Sequence, residues 1–140
     1  MLTIDTSTSF GSRVARQLDD EVVIWLTSVA RSGTPAPTPV WFLWHGDEIL
    51  IASQPGTAKL RNISAAPRVS VNFNATHTGG DVGVVTGTAA IDDNGFSDEE
   101  RVAYNTKYGK PIAGLGMTPE EFHASYSVLI RITPDRLRGF

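Results

Sequence analysis

Cysteine is absent from this sequence, which removes disulfide bonds, thiolate metal sites and thiol catalysis together. The histidines His45, His77 and His123 fall in a predicted turn, a loop and a helix without ligand spacing, so they read as surface side chains rather than a metal set. No stretch approaches the roughly 20 apolar residues of a membrane span. The opening "MLTIDTSTSF" lacks the charged and apolar regions of a signal peptide, so the expected location is cytoplasmic. Also missing are G-x-G-x-x-G, the P-loop and G-x-S-x-G, leaving classical dinucleotide, nucleotide triphosphate and serine-nucleophile sites without support. Asp98, Glu99 and Glu100 open a predicted helix, where carboxylates act as dipole partners more readily than as catalysts. A net charge of -3 and the lack of a broad basic stripe argue against a nucleic-acid barrel that stacks bases on Trp25, Trp41 or Trp44.

One further absence is local. From Ile49 to Gly80 there is no Asp or Glu, while Lys59, Arg61 and Arg68 lie inside the interval. A cationic stretch in an acidic chain points to a discrete anion site, with solvated surface charge as the alternative. A hydrophobic share of 41% over 140 residues predicts a single packed domain, residues 1–140.

Phe10, Val14 and Leu18 recur every four residues, so Ser7 to Asp20 is predicted as an amphipathic helix capped by Ser7 or Thr8. "EVVIWLTSVA", "PAPTPVWFLW", "EILIASQ", "RVSVNFN" and "DVGVVTGTAAID" read as strands, the last with Gly83 and Gly87 marking a bulge or close approach. A short helix to about Ala66 follows "SQPGT", with Thr57 as cap. "SDEERVAYNTKYGK" reads as a helix capped by Ser97 and ending near Lys107 and Gly109. "TPEEFHASY" reads as another, with Pro119 at its first position. "SVLIRIT" and "DRLRGF" close the chain as two strands hinged at Pro134. Roughly six or seven short strands joined mostly by turns favour a mainly β fold with flanking helices, an antiparallel barrel that removes its edges by closing.

Two neighbouring segments carry the chemistry. In "TPVWFLW" and the residues before it, prolines 35, 37 and 39 leave an edge rich in carbonyls and poor in amides. Trp41 and Phe42 point to opposite faces, so only one can enter the barrel core. The other is free for a partner subunit or a flat ligand. In "SQPGTAKLRN", Lys59 sits in the first turn of a helix, where the macrodipole disfavours a cation.

The order "WLTSV", "GTPAPTPVWFLW", "EILIASQPGTAKLRNI", "PRVSVNF" and "GTAAI" resembles the flavin and deazaflavin oxidoreductase superfamily, whose archetype is pyridoxamine 5'-phosphate oxidase. The resemblance spans Glu21 to Asp92 and, less closely, the final strands. It implies an FMN-binding split β-barrel, a homodimer and a flat redox cofactor at the dimer interface. It also assigns cofactor contacts to Thr38, Pro39, Val40 and Trp41, to Ser53 and Gln54, and to Thr57, Ala58 and Lys59 around a phosphate. Arg61 is a further candidate, and Asn62 is expected to brace the helix. A phosphate there would explain Lys59, because it accepts from the same amides and balances the charge.

The sequence lacks the additional basic residues and longer C-terminal segment of true pyridoxamine phosphate oxidases. "PVWF" and "RITPDRLRGF" resemble instead the branch that uses coenzyme F420, an 8-hydroxy-5-deazaflavin with an anionic tail. Lys59, Arg61 and Arg13 or Arg16 could supply a basic groove for that tail. The resemblance therefore implies an F420-dependent reductase acting on a conjugated organic acceptor. An FMN-dependent oxidase or flavin reductase, and a non-catalytic flavin, deazaflavin or haem module, are the alternatives. Tyr104, Tyr108 and Met117 are candidates for the substrate side, with packing between helices as the competing role.

Overall fold

Alternation of apolar and polar residues sets the architecture. The computed structural model describes residues 2–140 and places seven strands in one sheet, β1 (Val23–Val29), β2 (Pro35–Trp41), β3 (Leu43–His45), β4 (Glu48–Ser53), β5 (Arg68–Asn72), β6 (Gly83–Asp92) and β7 (Val128–Gly139). All ladders are antiparallel, in the order β2-β1-β5-β6-β7-β4-β3. The sheet curls until β2 touches β4, forming a mainly β half-barrel of the split-barrel type. Inward residues such as Ile24, Leu26, Ile49, Ile51, Val71 and Ile130 fill it. Helix α1 (Ser9–Asp20), capped by Thr8, adds Val14 and Leu18 to that core; α2 (Ala58–Ala65) adds Leu60 and Ile63. Phe42 is the inward residue of its pair, and Trp41 joins a second cluster outside the barrel.

That second cluster lies under α3 (Asp98–Gly114) and α4 (Pro119–Ser125), which are inserted between β6 and β7. The predicted end of α3 near Gly109 is corrected: the helix runs five residues further, through Pro111. Proline removes one ladder bond, but Tyr108 and Ile112 are buried on either side of it and outweigh that loss. Ser97 and Thr118 each form a complete capping box.

Three more expectations change. "PAPTPVWFLW" breaks at Phe42, where the chain turns its phenyl ring into the core. The unpaired Phe42 backbone is satisfied by α3. Its amide donates to the Tyr108 hydroxyl at 2.8 Å, and its carbonyl accepts from Lys107 Nζ at 2.9 Å. The closing strands are one continuous strand, because the ladder skips Asp135 at a bulge opposite Thr86 and Gly87 and so absorbs Pro134. Gly87 is required there, since a Cβ would stand 2.5 Å from the Thr133 carbonyl. His123 is buried rather than on the surface, and its Nε2 lies 2.7 Å from Asn105 Oδ1.

Glu100 goes beyond the expected dipole role. Arg131 of β7 bonds Glu48, Asp92 and Glu100 at 2.8 to 3.2 Å, fastening β4, the end of β6 and the start of α3 together. The guanidinium holds the Glu100 carboxyl down at about 2, well below its ordinary value.

Candidate functional site

The sheet remains open on one line. Strand β3 pairs only with Leu50, Ile49 and Glu48, so Ile51 to Ser53 of β4 have a ladder partner on the β7 side alone. Opposite them runs the proline-bearing β2. A cavity of about 390 Å³ occupies this seam, within the range of about 300 to 1,000 Å³ common for small-molecule sites. Pro39, Val40 and Trp41 form one side, and Ala52, Ser53 and Gln54 the other. Thr57 and Lys59 close one end, while Tyr104, Leu115, Phe122 and Tyr126 bring the inserted helices over it.

The polar end is built by a turn and a helix start. Gly56 adopts φ +75°, which L side chains rarely do, and swings the chain from β4 into α2. Helices α1, α3 and α4 each receive a side-chain cap; Thr57 makes none to α2. Its hydroxyl lies 3.3 Å from that of buried Ser53 instead. Lys59 is half-buried, and burial pushes its ammonium below the ordinary lysine value. Among the described residues it has no carboxylate partner. Uncapped amides, a hydroxyl and an unpaired cation together suit a phosphate or carboxylate.

The aromatic end is flat. Trp41 stacks on Tyr108 at 4.9 Å and 10°, and on Phe122 at 5.7 Å and 21°. Phe122 in turn stacks on Tyr126 at 4.5 Å. Tyr108 serves the fold, since its hydroxyl contacts the Phe42 and Val22 backbone; Met117 packs against the same cluster. Tyr104 is fully buried in the wall, its hydroxyl has no partner, and burial raises its pKa well above the ordinary phenol value.

Of the predicted residues, Pro39, Val40, Trp41, Ser53, Gln54, Thr57 and Lys59 meet in the cavity. Thr38 and Ala58 line an adjoining hollow of about 250 Å³ that shares Thr57 and Lys59 with it. Arg61 turns away: it donates to the Gly56 carbonyl at 2.8 Å and faces a separate hollow beside Arg31. Asn62 braces α2 by donating to Ser28 Oγ at 3.1 Å. Arg13 is engaged with Val82 and Asp81, and Arg16 is exposed on α1. Sequence reasoning missed Leu115, Phe122 and Tyr126. The spacing of Phe122 and Tyr126 by one helical turn was the available signal.

Comparison with known proteins adds the lineage. No curated protein matches the sequence. Solved structures do match: an F420 reductase superposes with a TM-score of 0.66 at 23% identity, covering 88% of this chain and 94% of its own. A haem storage protein from Vibrio cholerae gives 0.67 at 15%, covering 94% of each chain. An FAD-binding protein from Mesorhizobium loti gives 0.59 at 20%, covering 88% of each. At these identities the likeness is one of fold. The family model described as pyridoxamine 5'-phosphate oxidase matches residues 10–140, and with a seam cavity in a split barrel the chain belongs to that family.

Proposed function

We propose that this protein is a coenzyme F420-dependent reductase that moves a hydride between the reduced deazaflavin and a conjugated organic acceptor. The observation that carries the reading is the two-ended cavity, with an uncapped helix start and unpaired Lys59 at one end and a planar aromatic wall at the other. These residues fit such a group. Thr57, Lys59 and the first amides of α2 would hold its phosphate, and the β2 and β4 edges beside Pro39 to Trp41 and Ser53 to Gln54 would meet its ring. The bound cofactor supplies the redox chemistry. The protein orients the ring, keeps water from the seam through the α3 and α4 wall, and balances negative charge with Lys59.

The structural likeness to an F420 reductase supports this reading. Likeness to an FAD-binding protein sustains a second one, an FMN-dependent oxidase or flavin reductase using the same cavity. A haem store is less well supported, because the described lining offers hydroxyls, an amide and an ammonium, with neither imidazole nor sulfur. We further propose a homodimer. Val23, Trp25 and the β2 prolines form a largely apolar outer face that continues into the cavity, where Leu115 is 51% exposed.

A paired titration of cofactor-free protein with F420 and FMN tests the assignment, with quenching of tryptophan emission as the signal. Binding of F420 in preference to FMN is expected. Preference for FMN transfers the protein to the second reading, and binding of neither refutes both.

A further inference from the structure

On the side of α2 turned away from Lys59 lies a second hollow of about 690 Å³, bordered by exposed Arg31, Arg61 and Ser64 over Leu60 and Ala65. Arg31 reaches it from the turn between β1 and β2, and Arg61 from α2. Two guanidinium groups are thus brought to one hollow, where like charges repel. Neither has a carboxylate partner among the described residues. The chain supplies none nearby: there is no Asp or Glu from Val22 to Gly46 around Arg31, nor from Ile49 to Gly80 around Arg61. Arg61 is also tethered. Its Nη1 donates to the Gly56 carbonyl at 2.8 Å, and among the described residues its other N–H donors have no protein partner.

We propose that this hollow is a second anion site, separate from the cavity, which binds a compact phosphoryl compound, a phosphate monoester or diphosphate, between Arg31 and Arg61. Planar guanidinium forks suit such a group, because each can give two parallel N–H···O bonds to its oxygens. Two positive charges also match a phosphoryl group, which carries about two negative ones at neutral pH. A long polyanion is disfavoured, since the net charge of -3 repels it and no third cation borders the hollow. The tether from Arg61 to Gly56 joins the hollow to the turn that carries Thr57 and Lys59, so the two anion sites share one structural element.

The probe is inorganic pyrophosphate, titrated by calorimetry at fixed ionic strength into cofactor-free protein, whichever cofactor the cavity takes. Lys59→Ala removes the cation of the cavity and isolates the second site. That variant should still bind pyrophosphate, with one site per chain. Adding Arg31→Gln, a change in an exposed turn, should weaken the binding on the order of tenfold, and adding Arg61→Gln as well should abolish it. Thermal melting of each variant checks that it is folded, and Arg31→Gln decides the matter alone if Arg61→Gln disturbs the Gly56 turn. Full affinity in the Lys59→Ala, Arg31→Gln protein overturns the proposal. So does loss of all binding in Lys59→Ala alone, which would give pyrophosphate to the cavity.

Discussion

The barrel core and the smaller cluster beneath α3 and α4 are both buried but differ in chemistry. Inside the barrel the buried residues are Val, Leu, Ile and Phe with one Ala, none of which carries a polar side-chain atom. Outside it, Trp41, Tyr104, Tyr108, Phe122 and Tyr126 bring hydroxyls and flat faces, with Lys107 and His123 at the margin. Burial pushes Lys107 down to about 8, partly opposed by the acids at the end of α1. An aliphatic core holds a shape by filling space. An aromatic cluster with polar handles holds a shape and leaves directed groups over, and here they surround the cavity.

The largest effect should come from the first region. Phe42→Ala is expected to cost about 3 to 5 kcal/mol in denaturant unfolding, as a fully buried ring leaves a void. Phe122→Ala, in the second, should weaken ligand binding beyond its effect on stability, measured by titration of the folded variant. If both behave alike, the two regions do not differ in kind.

Next in size is the tie between them. Arg131→Met should cost about 3 kcal/mol at neutral pH, because Glu48, Asp92 and Glu100 keep their charges without a partner. In wild type the Glu100 carboxyl is held at about 2 against an ordinary 4.5. Its contribution is therefore present above 4.5 and lost as pH falls toward 2. The variant should slope the other way, gaining stability on acidification as the crowded carboxylates protonate. Urea midpoints from pH 3 to 7 for both proteins would show it.

Lys59→Ala should weaken F420 binding by about 2 to 3 kcal/mol and leave the melting temperature unchanged or slightly higher, since a desolvated cation without a partner is removed. The smallest contrast is between caps. Ser97→Ala should destabilise by about 1 kcal/mol, and Thr57→Ala by a few tenths, because only the first hydroxyl closes a capping box. Equal losses in thermal unfolding would mean that α2 is capped like the others.

Local patterns made much of this legible. "RVSVNFN" alternates and is β5, Thr57 precedes α2, and Trp41 and Phe42 diverge as period two requires. Arg61 lies off the cavity because two residues along a helix turn a side chain by about 200°, away from the face that Lys59 shares with it. The extent of α3 and the single β7 depend on tertiary packing and on a register shift, which a Pro or Gly in the sequence does not disclose. The Arg131 cluster and the unanswered Tyr104 join residues far apart in the chain, so no short window contains them.

The prolines of β2 have a last consequence. They occupy alternate positions, so a strand that keeps its ladder to β1 aims the backbone of all three at its free edge, where each offers a carbonyl and no amide. A foreign strand laid along that edge would donate amides to those carbonyls, but its own carbonyls would meet proline rings in place of amides, so every second ladder bond would be missing. The opening is thus refractory to chain-to-chain zippering and fibril growth. Small molecules that carry N–H or O–H donors on a rigid rim are under no such restriction, so an edge that repels polypeptide remains accessible to heterocycles.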